Sequence, residues 1–60
     1  MTSYIKQELS PGSYVIYTKF REWGIGQIQS CIDNIVTVNF ENVGKKVMNI
    51  KKVNLEVIEL

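Results

Sequence analysis

The sequence predicts an all-β fold in which five short strands close into a small barrel. Short runs of β-branched and aromatic residues recur from residue 13 onward, and turn-forming residues separate them. We find no run with the length and period of a helix of more than one turn. In a chain of only 60 residues, five strands with hairpin links favour closure, because a closed barrel leaves no sheet edge exposed.

The barrel domain is predicted over residues 11–60, and residues 1–10 are predicted to be a loosely ordered N-terminal arm. The arm lacks a clear hydrophobic period and ends at Ser10-Pro11-Gly12, which favours a turn. The first strand follows at Tyr14 to Tyr17. Side chains alternate along a strand, so Val15 and Tyr17 are expected to share one face.

Residues 18–23 form the first long connection, and a second strand is predicted from Gly24 to about Cys31. Two glycines one residue apart, Gly24 and Gly26, predict a bulge or a sharp bend where another backbone comes close. Small barrels need such corners, which supports the predicted closure.

The third strand, Ile35 to Phe40, follows a tight turn at residues 33–34 and shows the clearest alternation in the chain. Val36, Val38 and Phe40 are therefore assigned to the core face. The next turn covers residues 41–44.

A fourth strand is predicted from Lys45 to Ile50, and its register stays open because Val47 and Met48 are neighbours and either could face inward. After a short turn, a closing strand is predicted over Leu55 to Ile58.

Composition excludes several classes of site. The chain has no histidine and one cysteine, Cys31, so neither a metal cluster nor an intramolecular disulfide is expected. Cys31 is expected to pack as a small residue. No serine, threonine or carboxylate has a base partner, and Gly24-Ile25-Gly26 lacks the third glycine of a dinucleotide site. We therefore expect a binding module with no catalytic residues and no cofactor.

The chain is expected to be a cytoplasmic protein. Its hydrophobic fraction of 45% and charged fraction of 22% are those of ordinary globular proteins. The uncharged stretch of residues 23–32 is too short and polar to cross a bilayer. Lys6 and Glu8 stand where a signal peptide would need an apolar core.

The connection between the first two strands carries the first group of candidate binding residues. Aromatic side chains interleaved with cations are typical of surfaces that stack bases and hold phosphates, and the candidates here are Lys19, Phe20, Arg21 and Trp23. An alternative role for Trp23 is to cover one open end of the core, which leaves Phe20 as the stronger contact residue. In a further alternative, an aromatic cage for a methylated cation would use Tyr17, Phe20, Trp23 and Phe40.

A second group of candidates is basic. Lys45, Lys46, Lys51 and Lys52 fall within eight residues that contain no acid. Strand alternation sends Lys45 and Lys46 to opposite faces, so only one of them can join a given patch. The alternative to phosphate binding is that these lysines solvate an edge and discourage edge-to-edge pairing.

Several of these segments together resemble a small bacterial domain family of uncharacterised function. The resemblance covers residues 11–58 and rests on Pro11-Gly12, Val15, Trp23-Gly24-Ile25-Gly26-Gln27-Ile28, Val36-Thr37-Val38-Asn39-Phe40, Gly44-Lys45-Lys46-Val47 and Leu55-Glu56-Val57. That family is similar to the Tudor-like C-terminal domain of the UvrD and PcrA helicases. More distantly, it is similar to the RNA-polymerase-interacting domain of CarD-type transcription regulators.

The resemblance implies a five-stranded SH3-like barrel. It also implies partners among nucleic acids or the proteins of transcription and repair, such as RNA polymerase. Related sequences commonly carry histidine after the first strand, where this chain has Tyr17, so no role of that histidine is transferred. The alternative is a protein-only module that binds a peptide or strand along a sheet edge. In either case we expect a monomer or a weak homodimer.

Overall fold

A computed structural model describes residues 9–59, which form one antiparallel sheet of five strands. A kinked 3-10 segment, Thr18–Trp23, joins the first two strands and is called the 3-10 connection below. The strands are β1 (Tyr14–Tyr17), β2 (Ile25–Ile32), β3 (Ile35–Phe40), β4 (Gly44–Asn49) and β5 (Leu55–Ile58). Their order across the sheet is β4-β3-β2-β1-β5. The predicted all-β class and number of strands are confirmed.

The sheet is open at both sides. Within residues 9–59 no ladder joins β4 to β5, so these strands are edges and the predicted hydrogen-bonded closure is not formed. After β4 the backbone bonds to other partners: Ile50 N donates to Asn34 O at 2.8 Å, and Lys52 N donates to Asn49 O at 2.9 Å. The residues after β4 therefore turn, and do not extend the strand toward β5.

One face of the sheet carries the core. Val15 and Tyr17 of β1 are buried, as are Val36, Val38 and Phe40 of β3, which confirms the predicted faces of both strands. The buried set is completed by Ile28, Met48 and Leu55.

Pairing with β3 determines the register of β4 that the sequence leaves open. Val36 pairs with Met48 and Val38 pairs with Lys46, so Met48 and Lys46 share the core side of the sheet. Val47 consequently points outward, and 66% of it is exposed.

The sharp bend predicted at the paired glycines is present at Gly24, but the bulge lies elsewhere. Gly24 has a φ of 82°, and the backbone of the β3–β4 turn approaches on both sides of it: Asn42 N donates to Trp23 O and Glu41 N to Ile25 O. The shift in register falls at residue 29, between Ile28 and Ser30. Of the two alternatives predicted for the glycines, the bend is therefore the one that forms, because Gly26 pairs regularly with its partners on both sides.

Gly26 is required because core side chains lie directly over it. A Cβ added there would stand 2.5 Å from Val38 Cγ1 and 2.7 Å from Phe40 Cδ1. We expect Gly26→Ala to lower the free energy of unfolding by about 1–3 kcal/mol, because two buried side chains must leave their rotamers. Urea unfolding measures the loss. Gln27→Ala, at the exposed neighbouring position of β2, is the control and should change stability by about 0.5 kcal/mol or less. Similar losses for both variants would contradict the steric explanation.

The chain enters β1 through a tight turn that the sequence predicts. Leu9 packs against the core, and Ser13 N donates to Ser10 O at 3.0 Å, which confirms the turn at residues 10–13. Gly12 N then donates to Ile28 O. Residues 1–8 of the predicted arm lie outside the described residues.

Candidate functional site

The 3-10 connection is held at both ends by hydrogen bonds. At its start, Thr18 N and Thr18 Oγ1 both donate to Asn54 O, at 3.4 and 3.2 Å. At its end, Gly24 N donates to Arg21 O at 3.0 Å, and Asn42 Nδ2 donates to Glu22 O at 2.8 Å. The segment is thereby anchored to the residue before β5 and to the β3–β4 turn.

Four aromatic rings meet beneath and within this connection, and they are called the aromatic cluster: Tyr17, Phe20, Trp23 and Phe40. Trp23 is central, with its ring centroid 5.3 Å from the stacked ring of Phe20 and 5.2 Å from the edge-on rings of Tyr17 and Phe40. Tyr17 and Phe40 are buried, whereas 37% of Phe20 is exposed. The rings of the proposed cage thus pack on one another, and Phe20 is the one that faces solvent most.

Two lysines contact the aromatic cluster, one from the 3-10 connection and one from β4. Lys19 Nζ lies 5.7 Å from the centroid of the Phe20 ring, and Lys46 Nζ lies 5.3 Å from that of Trp23. Lys46 reaches Trp23 because its pairing with Val38 places it on the core side of β4, at the margin of the core. A cation over an aromatic ring at an exposed site is stabilised by about 0.5–1 kcal/mol.

Arg21 adds a third cation, beside an acid. Its Nη2 atom lies 3.6 Å from Glu56 Oε1, and both side chains are well exposed. Such a surface pair contributes about 0–1 kcal/mol, so an anionic ligand can compete for the guanidinium. We call the surface formed by Lys19, Phe20, Arg21, Trp23 and Lys46 the aromatic–cation surface.

The three remaining candidates, Lys45, Lys51 and Lys52, lie outside this surface. Lys45 lies on the opposite face of the sheet, paired with Asn39, as strand alternation predicts. Lys51 and Lys52 follow β4, where their backbone N–H groups donate to the side chain and carbonyl of Asn49. Their turn leads to the Asn54 that anchors the 3-10 connection. Contacts among rings and ammonium groups therefore join four of the eight predicted binding residues, Lys19, Phe20, Trp23 and Lys46, and Arg21 belongs to the same 3-10 connection.

The alternative role for Trp23 also has a structural basis. Trp23 is half-buried and packs against the buried core, as a residue that covers one end of the core would. Cys31 likewise packs partly buried against the core.

Sequence reasoning missed a second feature, a cleft of about 470 Å³ on the outer face of the sheet. We call it the outer-face cleft; its lining includes Tyr14, Ile25, Gln27, Asn39, Glu41 and Asn42. The sequence contains only a weak indication of this cleft. The outward positions 14, 27 and 39 of three strands are all polar, and pairing places them in one row across the sheet.

Other kinds of site have no counterpart in the described part of the chain. Across residues 9–59, we find no group of three or more histidine, cysteine and carboxylate side chains arranged for a metal ion. Over the same residues, no helix has the length and apolar character needed to span a membrane.

Comparison with known proteins establishes the family of the chain and no further property. Residues 9–58 match the family described as "Protein of unknown function (DUF3553)". The chain belongs to the DUF3553 family. No curated protein and no solved structure matches the chain. The match confirms the predicted membership of a small family of uncharacterised function, and the DUF3553 domain spans β1 to β5 with both surfaces described above.

Proposed function

We propose that this DUF3553 domain is a non-catalytic module that binds single-stranded nucleic acid through the aromatic–cation surface. One observation carries the proposal: the exposed ring of Phe20 stacks on Trp23, with lysine ammonium groups 5.7 and 5.3 Å from the two ring centroids. An exposed ring backed by a second ring offers a platform on which a base can stack once the exposed Lys19 side chain swings off the Phe20 ring. The flanking cations are placed to meet the phosphates of the same strand.

The charge of the chain sets the expected strength of binding. A net charge of +1 does not support strong unspecific attraction to a polyanion. The aromatic–cation surface offers three cations, and one of them, Arg21, forms an ion pair with Glu56. We therefore expect modest affinity that depends strongly on salt, because each phosphate contact releases a counterion.

The proposal extends to the architecture and the cellular context. The antiparallel order β4-β3-β2-β1-β5 and the 3-10 connection support an SH3-like arrangement. The resemblance to the Tudor-like helicase domains and to CarD-type regulators supports a cytoplasmic role beside nucleic acid or the transcription and repair machinery. The domain acts as a monomer or a weak homodimer.

The direct test is an amide chemical-shift titration of the labelled protein with a single-stranded hexanucleotide, at low and then at physiological salt. Salt-sensitive shifts that include residues 18–23 and Lys46 are expected. A titration without shifts at millimolar hexanucleotide would overturn the proposal, as would shifts that leave the aromatic–cation surface unchanged.

Lys46 should contribute one phosphate contact that can be counted. For single strands the slope of log K against log salt is about −0.7 per phosphate contact, so three cations predict a slope of about −2. Lys46→Gln should make the slope shallower by about 0.7, whereas Lys46→Arg, which keeps the charge, should leave it unchanged. Fluorescence anisotropy at several salt concentrations measures both. Equal slopes for wild type and Lys46→Gln would show that Lys46 does not contact phosphate.

A second candidate function is strand addition to a protein partner, and the open sheet favours it. β4 is hydrogen-bonded to β3 on one side only, and its central Val47 is 66% exposed. An extended peptide could pair with this edge through backbone hydrogen bonds. Purified RNA polymerase is the first partner to test: shifts confined to residues 44–49 that persist at high salt would support this function. Shifts that vanish with salt would contradict it.

A further inference from the structure

The outer-face cleft lies on the side of the sheet away from the core and combines ring, amide and apolar groups. Tyr14 pairs across the sheet with Gln27, and Gln27 pairs with Asn39, so one phenol and two amides stand in a row on neighbouring strands. Gln27 Nε2 lies 3.5 Å from Tyr14 Oη, at the limit of a hydrogen bond. Gln27 and Asn39 are exposed. Their donors and acceptors are thus available to a ligand.

One acid borders the cleft, and its side chain already has a structural partner. Glu41 Oε1 accepts a hydrogen bond from Ile25 N at 3.0 Å, which fixes the carboxylate beside the first residue of β2. A negative charge at this position disfavours an anion inside the cleft and leaves room for a neutral polar group. Lys45, the cross-strand partner of Asn39, supplies a cation at the rim.

This combination matches a nucleobase attached to a phosphate. A side-chain amide presents one donor and one acceptor side by side, as asparagine and glutamine do when they bind adenine. An aromatic ring beside the amides can contact the flat face of the base, and a lysine at the rim can meet the phosphate. The volume of about 470 Å³ lies within the range of about 300–1,000 Å³ that is usual for small-molecule sites.

We infer that the outer-face cleft is a base-binding site for single-stranded nucleic acid, with Gln27 and Asn39 as the hydrogen-bonding residues. This inference rests on the proposed function and adds a second contact site to it. The aromatic–cation surface stacks one base and holds phosphates, whereas the outer-face cleft takes a base by its edge. The β3–β4 turn lies between the two sites, since Asn42 lines the cleft and its amide donates to Glu22 O of the 3-10 connection.

The test uses three probes with the full chain: hexadeoxyadenylate, an abasic hexamer of the same length, and 5′-AMP. The readouts are the side-chain amide signals of Gln27 and Asn39 and the dissociation constant. Asn39→Ala removes one donor–acceptor pair from an exposed position and should leave the fold intact. Gln29→Ala removes an amide that is also exposed but lies outside the cleft lining, and it is the matched control.

Hexadeoxyadenylate is expected to shift both side-chain amide signals, and the abasic hexamer is expected not to shift them. Asn39→Ala should raise the dissociation constant for hexadeoxyadenylate at least about fivefold, and Gln29→Ala should leave it unchanged. If 5′-AMP also shifts the two signals, the cleft accepts a free nucleotide as well as a strand. If only the hexamer does, the occupant is a strand.

The failures of the two proposals are distinguishable. Binding of hexadeoxyadenylate with shifts confined to residues 18–23 and Lys46, and with no effect of Asn39→Ala, would overturn the cleft site and leave the proposed function standing. Equal shifts with the abasic hexamer would overturn base recognition. Shifts of the cleft signals by 5′-AMP alone would replace the nucleic-acid function with nucleotide binding. An absence of binding by all three probes would overturn both.

Discussion

Replacement of Phe40 with alanine is expected to lower the free energy of unfolding by about 3–5 kcal/mol. Phe40 is 2% exposed, and its ring lies over Gly26 and meets the edge of Trp23 at 5.2 Å. Alanine would leave a cavity beneath Trp23 that the short strands on either side cannot fill. A domain of 60 residues has a total stability of about 3–9 kcal/mol, so the variant should lose about a third or more of it and unfold at a much lower urea concentration than wild type.

Far-UV circular dichroism and urea unfolding measure this loss. Phe40→Leu is the matched control, because it keeps most of the volume and should cost about 1.5 kcal/mol or less. A Phe40→Ala variant that unfolds at the same urea concentration as wild type would show that Phe40 is not part of the core.

Replacement of Phe20 with alanine is expected to raise the dissociation constant for a single-stranded oligonucleotide about 5- to 150-fold. Base–aromatic stacking contributes about 1–3 kcal/mol per base, and Phe20 is the exposed ring of the aromatic cluster. The variant should remain folded because the ring is partly exposed and lies at the margin of the core. Fluorescence anisotropy at low salt measures the affinity, and circular dichroism verifies the fold.

Phe20→Tyr keeps a ring of the same size and should bind within about twofold of wild type, because stacking requires only the aromatic face. The salt slope of Phe20→Ala should equal that of wild type, since no cation is lost. If Phe20→Ala binds as tightly as wild type, the platform is elsewhere. Trp23 would then serve the core alone.

Much of the fold follows from the sequence because alternation is a local signal. β1, β3 and β5 have the predicted bounds, and β2 and β4 are each displaced from prediction by about one residue at both ends. The register of β4 could not be predicted, because Val47 and Met48 are equally suited to a core by their side chains. Cross-strand pairing with β3 decides between them.

The candidate site is only partly a local property. The aromatic residues and cations of the 3-10 connection are contiguous in sequence, so their pattern can be recognised there. The contact of Lys46 with Trp23 depends instead on which face of β4 the lysine occupies. The outer-face cleft combines residues from β1, β2 and β3, and no contiguous run contains its row of polar side chains. Such a site becomes visible only once the strands are paired.

The order of the strands also has a consequence for the rate of folding. β2, β3 and β4 are joined by tight turns, so their pairing requires only local contacts, and single hairpins form in about 1–10 μs. β1 pairs instead with β5, and the paired residues, such as Tyr14 and Ile58, are about forty positions apart in the sequence. Long-range pairing of this kind slows folding because a large loop must close before any contact stabilises it. The docking of β5 on β1 is therefore expected to come last, and an intermediate with β5 undocked would expose the unpaired side of β1.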